Sequence, residues 1–119
     1  MNESKTKASH LLRGEQAEKQ AYEFLISQGL TLIERNFRSP YGELDLIMKD
    51  GKTLVIVEVR FRKNDKFGSA LESVTHSKQA KISATTEIYL SSQTESMPIR
   101  FDVVGISGNG ELKWVKDAF

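Results

Sequence analysis

The chain predicts a mixed α/β domain, a sheet with helices packed on it, and three observations carry that prediction. Two segments place apolar residues at helical spacing, several others alternate with a period of two, and one connection is long enough for a parallel crossover. The predicted order is helix, three strands, helix, two strands, over 119 residues that suit one domain.

Helical periodicity starts near Arg13, where Ala17, Ala21, Phe24 and Leu25 form one stripe and Gly29 supplies the stop. The polar stretch 1–12 before it is expected as a flexible arm, leaving 13–119 as the domain. Glu18 falls inside the apolar arc of this helix, between Leu25 and Tyr22. A carboxylate turned toward a core needs a partner, and both a functional role and a salt bridge with an arginine answer that need.

Leu30 to Phe37 reads as a strand, Arg38 to Gly42 as a loop, and Glu43 to Phe61 as a hairpin turning at Asp50-Gly51. Residues 63–73 are polar and irregular. Thr75 is placed to cap a second helix running to about Ser91, in which Ala80, Ala84 and Ile88 keep helical spacing. Met97 and Pro98 break the chain before the alternating strand Ile99 to Ile106. The turn Gly108-Asn109-Gly110 then leads to a short strand, Leu112 to Val115. Trp114 is expected in the core.

The hairpin carries the chemistry. Alternation puts Leu44, Leu46 and Met48 on one side and Glu43, Asp45 and Ile47 on the other; its partner strand divides into Val55, Val57, Val59 and Phe61 against Leu54, Ile56, Glu58 and Arg60. Three carboxylates and a guanidinium therefore share a face, with the opposite face apolar. With Asp50 and Gly51 central in a type I′ turn, Glu43 stands opposite Glu58 and Asp45 opposite Ile56. Asp45 and Glu58 become diagonal neighbours, about 7 to 8 Å apart. Like charges at that spacing repel unless a cation joins them, and a hard divalent ion takes oxygen ligands. Asp102, with Val104 and Ile106, can join the cluster or bind Arg100; Glu43 can assist the metal or accept a hydrogen bond from the preceding loop.

Composition narrows the alternatives. Cysteine is absent and only His10 and His76 are available, which excludes thiolate sites and supplies zinc or a histidine triad poorly. No apolar run reaches a membrane span, and the polar start lacks a secretory signal, so cytoplasmic residence without membrane attachment is expected. Net charge is only +1, but cations gather around the acids: Arg35 and Arg38 before them, Arg60, Arg62, Lys63 and Lys66 after them, and Lys78 and Lys81 on the second helix.

Five blocks in order resemble a known family. They are Gly14-x-x-Ala17-Glu18-x-x-Ala21-x-x-Phe24-Leu25; Asn36-x-Arg38 before Gly42-Glu43-Leu44-Asp45-Leu46-Ile47; Val57-Glu58-Val59-Arg60-x-Arg62; Val74-Thr75-x-x-Lys78-Gln79; and Arg100-Phe101-Asp102-Val103-Val104. From about Gly14 to Phe119 the chain is similar to the YraN-like family, small bacterial proteins of the PD-(D/E)xK superfamily related to Holliday-junction resolvases. The resemblance implies a restriction-endonuclease-like core and a magnesium- or manganese-dependent endonuclease acting on DNA, structured or branched DNA included. It also implies Glu18, Asp45 and Glu58 as metal-site acids, and Asp45, Glu58, Arg60 and Gln79 as catalytic residues. Arg38, Arg60, Arg62, Lys63 and Lys78 are the expected nucleic-acid contacts.

One departure from the motif matters. Arginine stands at position 60 where the motif has lysine, and a guanidinium cannot act as a general base. Lys78 is a candidate replacement for the missing amine. The alternative is a nucleic-acid-binding module that keeps the fold without catalysis. Junction-cleaving relatives pair to cut two strands, which makes a homodimer conceivable, although no heptad supports one here.

Overall fold

The computed structural model describes residues 3–62 and 71–119, with side chains from Gly14 onward. Its elements are α1 (Glu3–Ser27), β1 (Thr31–Ser39), β2 (Gly42–Asp50), β3 (Thr53–Arg62), α2 (His76–Ser91), β4 (Ile99–Ser107) and β5 (Leu112–Val115). The order is the one expected for a restriction-endonuclease-like core.

A single five-stranded sheet runs β1-β2-β3-β4-β5, antiparallel except for the parallel pair β3 and β4, which α2 connects. β3 sits at its centre. Leu54, Val55, Ile56 and Val57 are all buried, as a strand covered on both faces requires. One face carries Leu46, Met48, Val55, Val57, Val104 and Ile106 against Ala17, Ala21 and Leu25 of α1. The other carries Ile47, Leu54, Ile56 and Val103 against Ile82 and Tyr89 of α2. The hairpin face opposite the acids is apolar as expected, Leu44 excepted, and the α2 face also holds a core, with the acids at one end of it.

Local signals set the helix ends. Gly29, at φ +98°, follows α1; Leu30 N–H bonds Leu25 O and Gly29 N–H bonds Ile26 O, the paired pattern of a Schellman stop. Thr75 caps α2, its hydroxyl accepting from Lys78 N–H at 3.3 Å. The start of α1 needs correction, since helical backbone begins at Glu3 and not near Arg13. The intervening residues contain no proline, and a single Gly14 costs only about 1 kcal/mol relative to alanine.

Two turns also differ from expectation. β1 and β2 meet through the two residues Pro40 and Tyr41, with Ser39 paired to Gly42, so Arg38 belongs to the strand and pairs with Glu43. In the next hairpin Asp50 pairs with Thr53, making Gly51 and Lys52 the central residues. Gly51, at φ +61°, takes the first central position, where a primed hairpin turn of type II′ requires glycine. Every cross-strand partner moves by two from the expected register. The move preserves which face each side chain occupies, and it brings Asp45 beside Glu58 instead of Ile56.

The β1–β2 pairing is irregular at two places: the register shifts between Leu32 and Glu34, and the alternation fails again at Asn36. On β1, Arg35 pairs with Leu46 and Phe37 with Leu44, but Asn36 and Asp45 form no pair between them. Leu46 belongs to the α1 layer, while Leu44 packs with Ile47 in the α2 layer beside Phe37. Leu44 therefore lies on the face opposite to the one its spacing from Leu46 predicts. Asn36, at φ +55°, marks the point where the strand turns over.

Trp114, expected in the core, is half-buried and packs against its edge. Its ring meets Phe24 edge-on at 6.0 Å, and Phe119 stacks on Phe101 at 5.1 Å, anchoring the C-terminal residue to the α2 layer. Among the described residues, no helix is long and apolar enough to cross a membrane.

Candidate functional site

The β2–β3 ladder ends at Leu46 and Val57, and the carboxylates gather just beyond it. Where a backbone carbonyl of β2 would have continued the ladder, the Asp45 side chain substitutes: its Oδ2 accepts from Val59 N–H at 2.9 Å. The Asp45 backbone amide lies near the Glu58 carboxylate and favours its charged form. The Asp45 side chain thus closes the end of the hairpin, with Glu58 beside it.

They open into a cavity of about 290 Å³. Its sheet side presents Glu43, Asp45, Glu58 and Arg60; its helix side presents Lys78 and Lys81, with Ile82 at the base. Lys78 and Lys81 lie three residues apart on α2, hence on one helix face. Docking of that turn is tight. Gly42 lies close enough that an added Cβ would stand 3.7 Å from Lys81 Cβ and from Thr85 Oγ1, and Thr85 Oγ1 is hydrogen-bonded to Ser39 Oγ at 2.9 Å.

Electrostatically the acids are uncomfortable. Glu58 is 4% exposed, and burial first, then the neighbouring Asp45 charge, push its carboxyl up to about 8, against the opposing pull of Arg60. Its Oε1 meets Arg60 Nη2 at 3.3 Å, while Oε2 is buried without a hydrogen-bond partner among the described residues. Burial likewise raises Asp45, partly offset by the Val59 N–H and by Arg60. Arg60 shares the strain, since its Nε is also buried and unpartnered.

The remaining candidates divide. Glu18 is not among the residues lining the cavity: its carboxylate lies 3.9 Å from Arg35 Nη2, and the nearby Asn36 side chain favours its charged form. It is still near enough for the Asp45 and Glu43 charges to raise its carboxyl, though burial contributes more. Among the described residues, no three His, Cys, Asp or Glu side chains stand together at metal-binding spacing. Gln79, expected to face the site, turns back to donate to Val74 O at 3.1 Å and is not among the cavity-lining residues. Arg38 is exposed and paired with Glu43 at 2.7 Å, and Arg62 donates to Phe61 O at 3.1 Å. Lys63 lies outside the described residues.

Asp102 does not join the cluster. It is fully buried and bound on the α1 side by Arg100 through two hydrogen bonds of 2.9 Å, by Trp114 Nε1 at 2.9 Å and by Asp117 N–H at 2.9 Å. Arg100 also reaches Asp50 at 3.1 Å. Of the two readings open for Asp102, the structure selects the salt bridge.

Lys81 is the cavity residue that sequence reasoning left out of the site. The available signal was its three-residue spacing from Lys78 beside the buried Ile82.

Residues 17–106 match the family model described as "Uncharacterised protein family UPF0102". The chain is 50% identical over 107 residues to a "UPF0102 protein" of Nitrosomonas eutropha, covering 90% of this chain and 92% of that protein. A "UPF0102 protein" of Hahella chejuensis is 48% identical, covering 89% and 88% of the two chains, and one of Shewanella loihica is 40% identical, covering 96% and 99%. With the five sequence blocks now set in one fold and matched along nearly their whole length, the chain belongs to the UPF0102 family, the YraN-like group that its motifs resemble.

Proposed function

We propose that this protein is a divalent-metal-dependent endonuclease that hydrolyses phosphodiester bonds in DNA, at the cavity between the β2–β3 hairpin and α2. The observation carrying this reading is the pairing of opposite chemistries across one small space. The buried Glu58 and the half-buried Asp45 stand on one wall and two exposed lysines on the other. A phosphate accompanied by a cation is the ligand that satisfies both walls.

The donor set fits magnesium or manganese. Glu58 Oε2 is a buried oxygen lacking a partner beside a second acid, which is the condition a hard cation relieves. Magnesium is commonly held by one or two carboxylates, with water and substrate phosphate completing its shell, so Asp45 and Glu58 suffice and Glu18 stands back. Bound there, the cation would acidify a water and neutralise charge developing on the phosphate.

The chain's own residues supply the rest. Arg60 orients Glu58 and balances its charge; it cannot accept a proton. Lys78 and Lys81 hold phosphate as point charges from the opposite wall. Lys78 lies in the first turn of α2, where the helix dipole disfavours a cation, and an anion in the cavity offsets that cost.

A second reading is supported by Arg60 specifically. Its guanidinium is committed to Glu58 through Nη2, and the motif's amine is missing, which suits a module that binds nucleic acid without cutting it. Incubation with duplex, flap and four-way DNA in magnesium or manganese separates the two. Cleavage that falls about 10²- to 10³-fold in Asp45→Ala supports the nuclease. Salt-sensitive binding without any metal-dependent cleavage supports the binding module. Cleavage equal in wild type and Asp45→Ala removes the site.

A further inference from the structure

We infer that Asn36 is a positioning residue for this site: its left-handed backbone turns β1 and β2 over together and thereby sets Asp45 against Val59 and beside Glu58. The inference deepens the reading of Asp45 and Glu58 as the site's acids, and rests on it only for its functional consequence.

Three independent features of the fold converge on this residue. The first is conformational. Asn36, at φ +55°, lies inside a nine-residue strand, and Asp117 is the only other described non-glycine residue with positive φ. Asparagine is among the few side chains that tolerate this region, whereas a β-branched residue there is an outlier.

The second is topological. The face exchange at Asn36 involves both strands: Arg35 and Leu46 precede it on the α1 side, and Phe37 and Leu44 follow it on the α2 side. Between those pairs lie Asn36 and Asp45, directly across from one another and outside the ladder. Regular alternation would carry Leu44 to the α1 side with Leu46. The turnover therefore shifts the chain leading into Asp45, whose carboxylate then takes the position of a ladder acceptor for Val59 N–H.

The third is an anchor. The Asn36 side chain lies near enough to the Glu18 carboxylate to favour its charged form, Arg35 of the same strand stands 3.9 Å from Glu18, and Arg35 lies over the Tyr22 ring at 4.8 Å. The kink is thus fastened to α1. This gives the carboxylate that falls within the apolar stripe of α1 an occupation that requires no metal.

Amide hydrogen exchange read by NMR tests the inference without metal or DNA, which separates its failure from failure of the nuclease reading. The probe is the Val59 amide, with Val104 on β4 as the reference, in wild type, Asn36→Gly and Asn36→Val. Glycine adopts positive φ freely and valine does not, so Asn36→Gly is expected to keep Val59 protection within about threefold. In Asn36→Val the Val59 amide is expected to exchange about five- to thirtyfold faster relative to Val104. Manganese affinity by calorimetry should follow the same order, with glycine rescuing what valine loses. Val59 protection equal in the two variants overturns the inference. If Asn36→Val exposes Val59 and Val104 alike by unfolding, Asn36→Ala replaces it, and equal Val59 protection in the alanine and glycine variants overturns the inference in the same way.

Discussion

Glu58 and Asp102 are both buried carboxylates, on the adjacent strands β3 and β4, facing opposite sides of the sheet. Asp102 accepts four hydrogen bonds, two from the Arg100 fork, one from Trp114 and one from the Asp117 backbone. Glu58 receives Arg60 at the long distance of 3.3 Å, with the Asp45 amide nearby, and among the described residues Oε2 has no hydrogen-bond partner. Burial costs each acid comparable desolvation, so the difference lies in what the fold returns. Around Asp102 the chain has built a closed network that ties β4 to β5 and to the C-terminal segment. Around Glu58 it has left an acceptor open and placed a second acid beside it. The first arrangement serves stability, and the second makes sense where a ligand completes the set.

That contrast can be broken most decisively at Asp102. Replacing it with alanine leaves the half-buried Arg100 with only Asp50 and strips the Trp114 and Asp117 donors of their acceptor. Asp102→Ala is therefore expected to lower unfolding free energy by about 3–5 kcal/mol in urea titrations. A loss under 1 kcal/mol would make the network dispensable and erase the distinction.

Glu58 should respond in the opposite direction. Its folded-state carboxyl lies near 8, above the ordinary value of 4.5, so between those limits the folded protein holds a proton that the unfolded chain has released. Its favourable contribution is complete below about pH 4.5 and is lost as pH rises through 8. In the absence of divalent ions, Glu58→Gln is expected to be more stable than wild type at pH 8, on the order of 2 to 4 kcal/mol, with the gap closing toward pH 4.5. Saturating magnesium or manganese should stabilise wild type by about 2.7 kcal/mol at a hundred times the dissociation constant, and Glu58→Gln much less. Denaturant midpoints at pH 5, 6.5 and 8, with and without the ion, measure both effects. A Gln variant destabilised at pH 8 would show that the Glu58 charge is well accommodated as it stands.

The smallest effect sharpens the Asp102 side. Trp114→Phe keeps the contact with Phe24 and deletes one donor to Asp102, and is expected to cost about 1–2 kcal/mol in thermal or urea unfolding. Metal affinity should not change, because Trp114 stands in the α1 layer, away from the cavity.

Much of the architecture was readable along the chain. Gly29, Thr75 and the alternation of β3 and β4 act within a few residues, and each produced the element it announced. The candidate acids were readable for a more particular reason. The true hairpin turn at Gly51 and Lys52 differs from the expected one by two in partner register, and a shift of two keeps every side chain on its face. Asp45 and Glu58 were brought together by either turn. Expectation went astray where a competing partner or a shorter turn prevailed, near in sequence as well as far. Gln79 had a nearby carbonyl to satisfy, and Arg38 belongs to a strand because the Pro40-Tyr41 turn is shorter than a loop of five residues.

By itself, then, the order of residues determined the sequence of helices and strands and the apolar face opposite the acids, because periodicity is a property of local backbone geometry. It also determined that acids and cations would occupy one end of the hairpin. Tertiary packing decided the rest. It turned β1 and β2 over at Asn36, carried Lys81 to the wall opposite Glu58, drew Glu18 to Arg35 and Asn36, and closed Asp102 within its own network. Those outcomes depend on which buried polar group finds which partner, and that is settled only when distant segments are packed against one another.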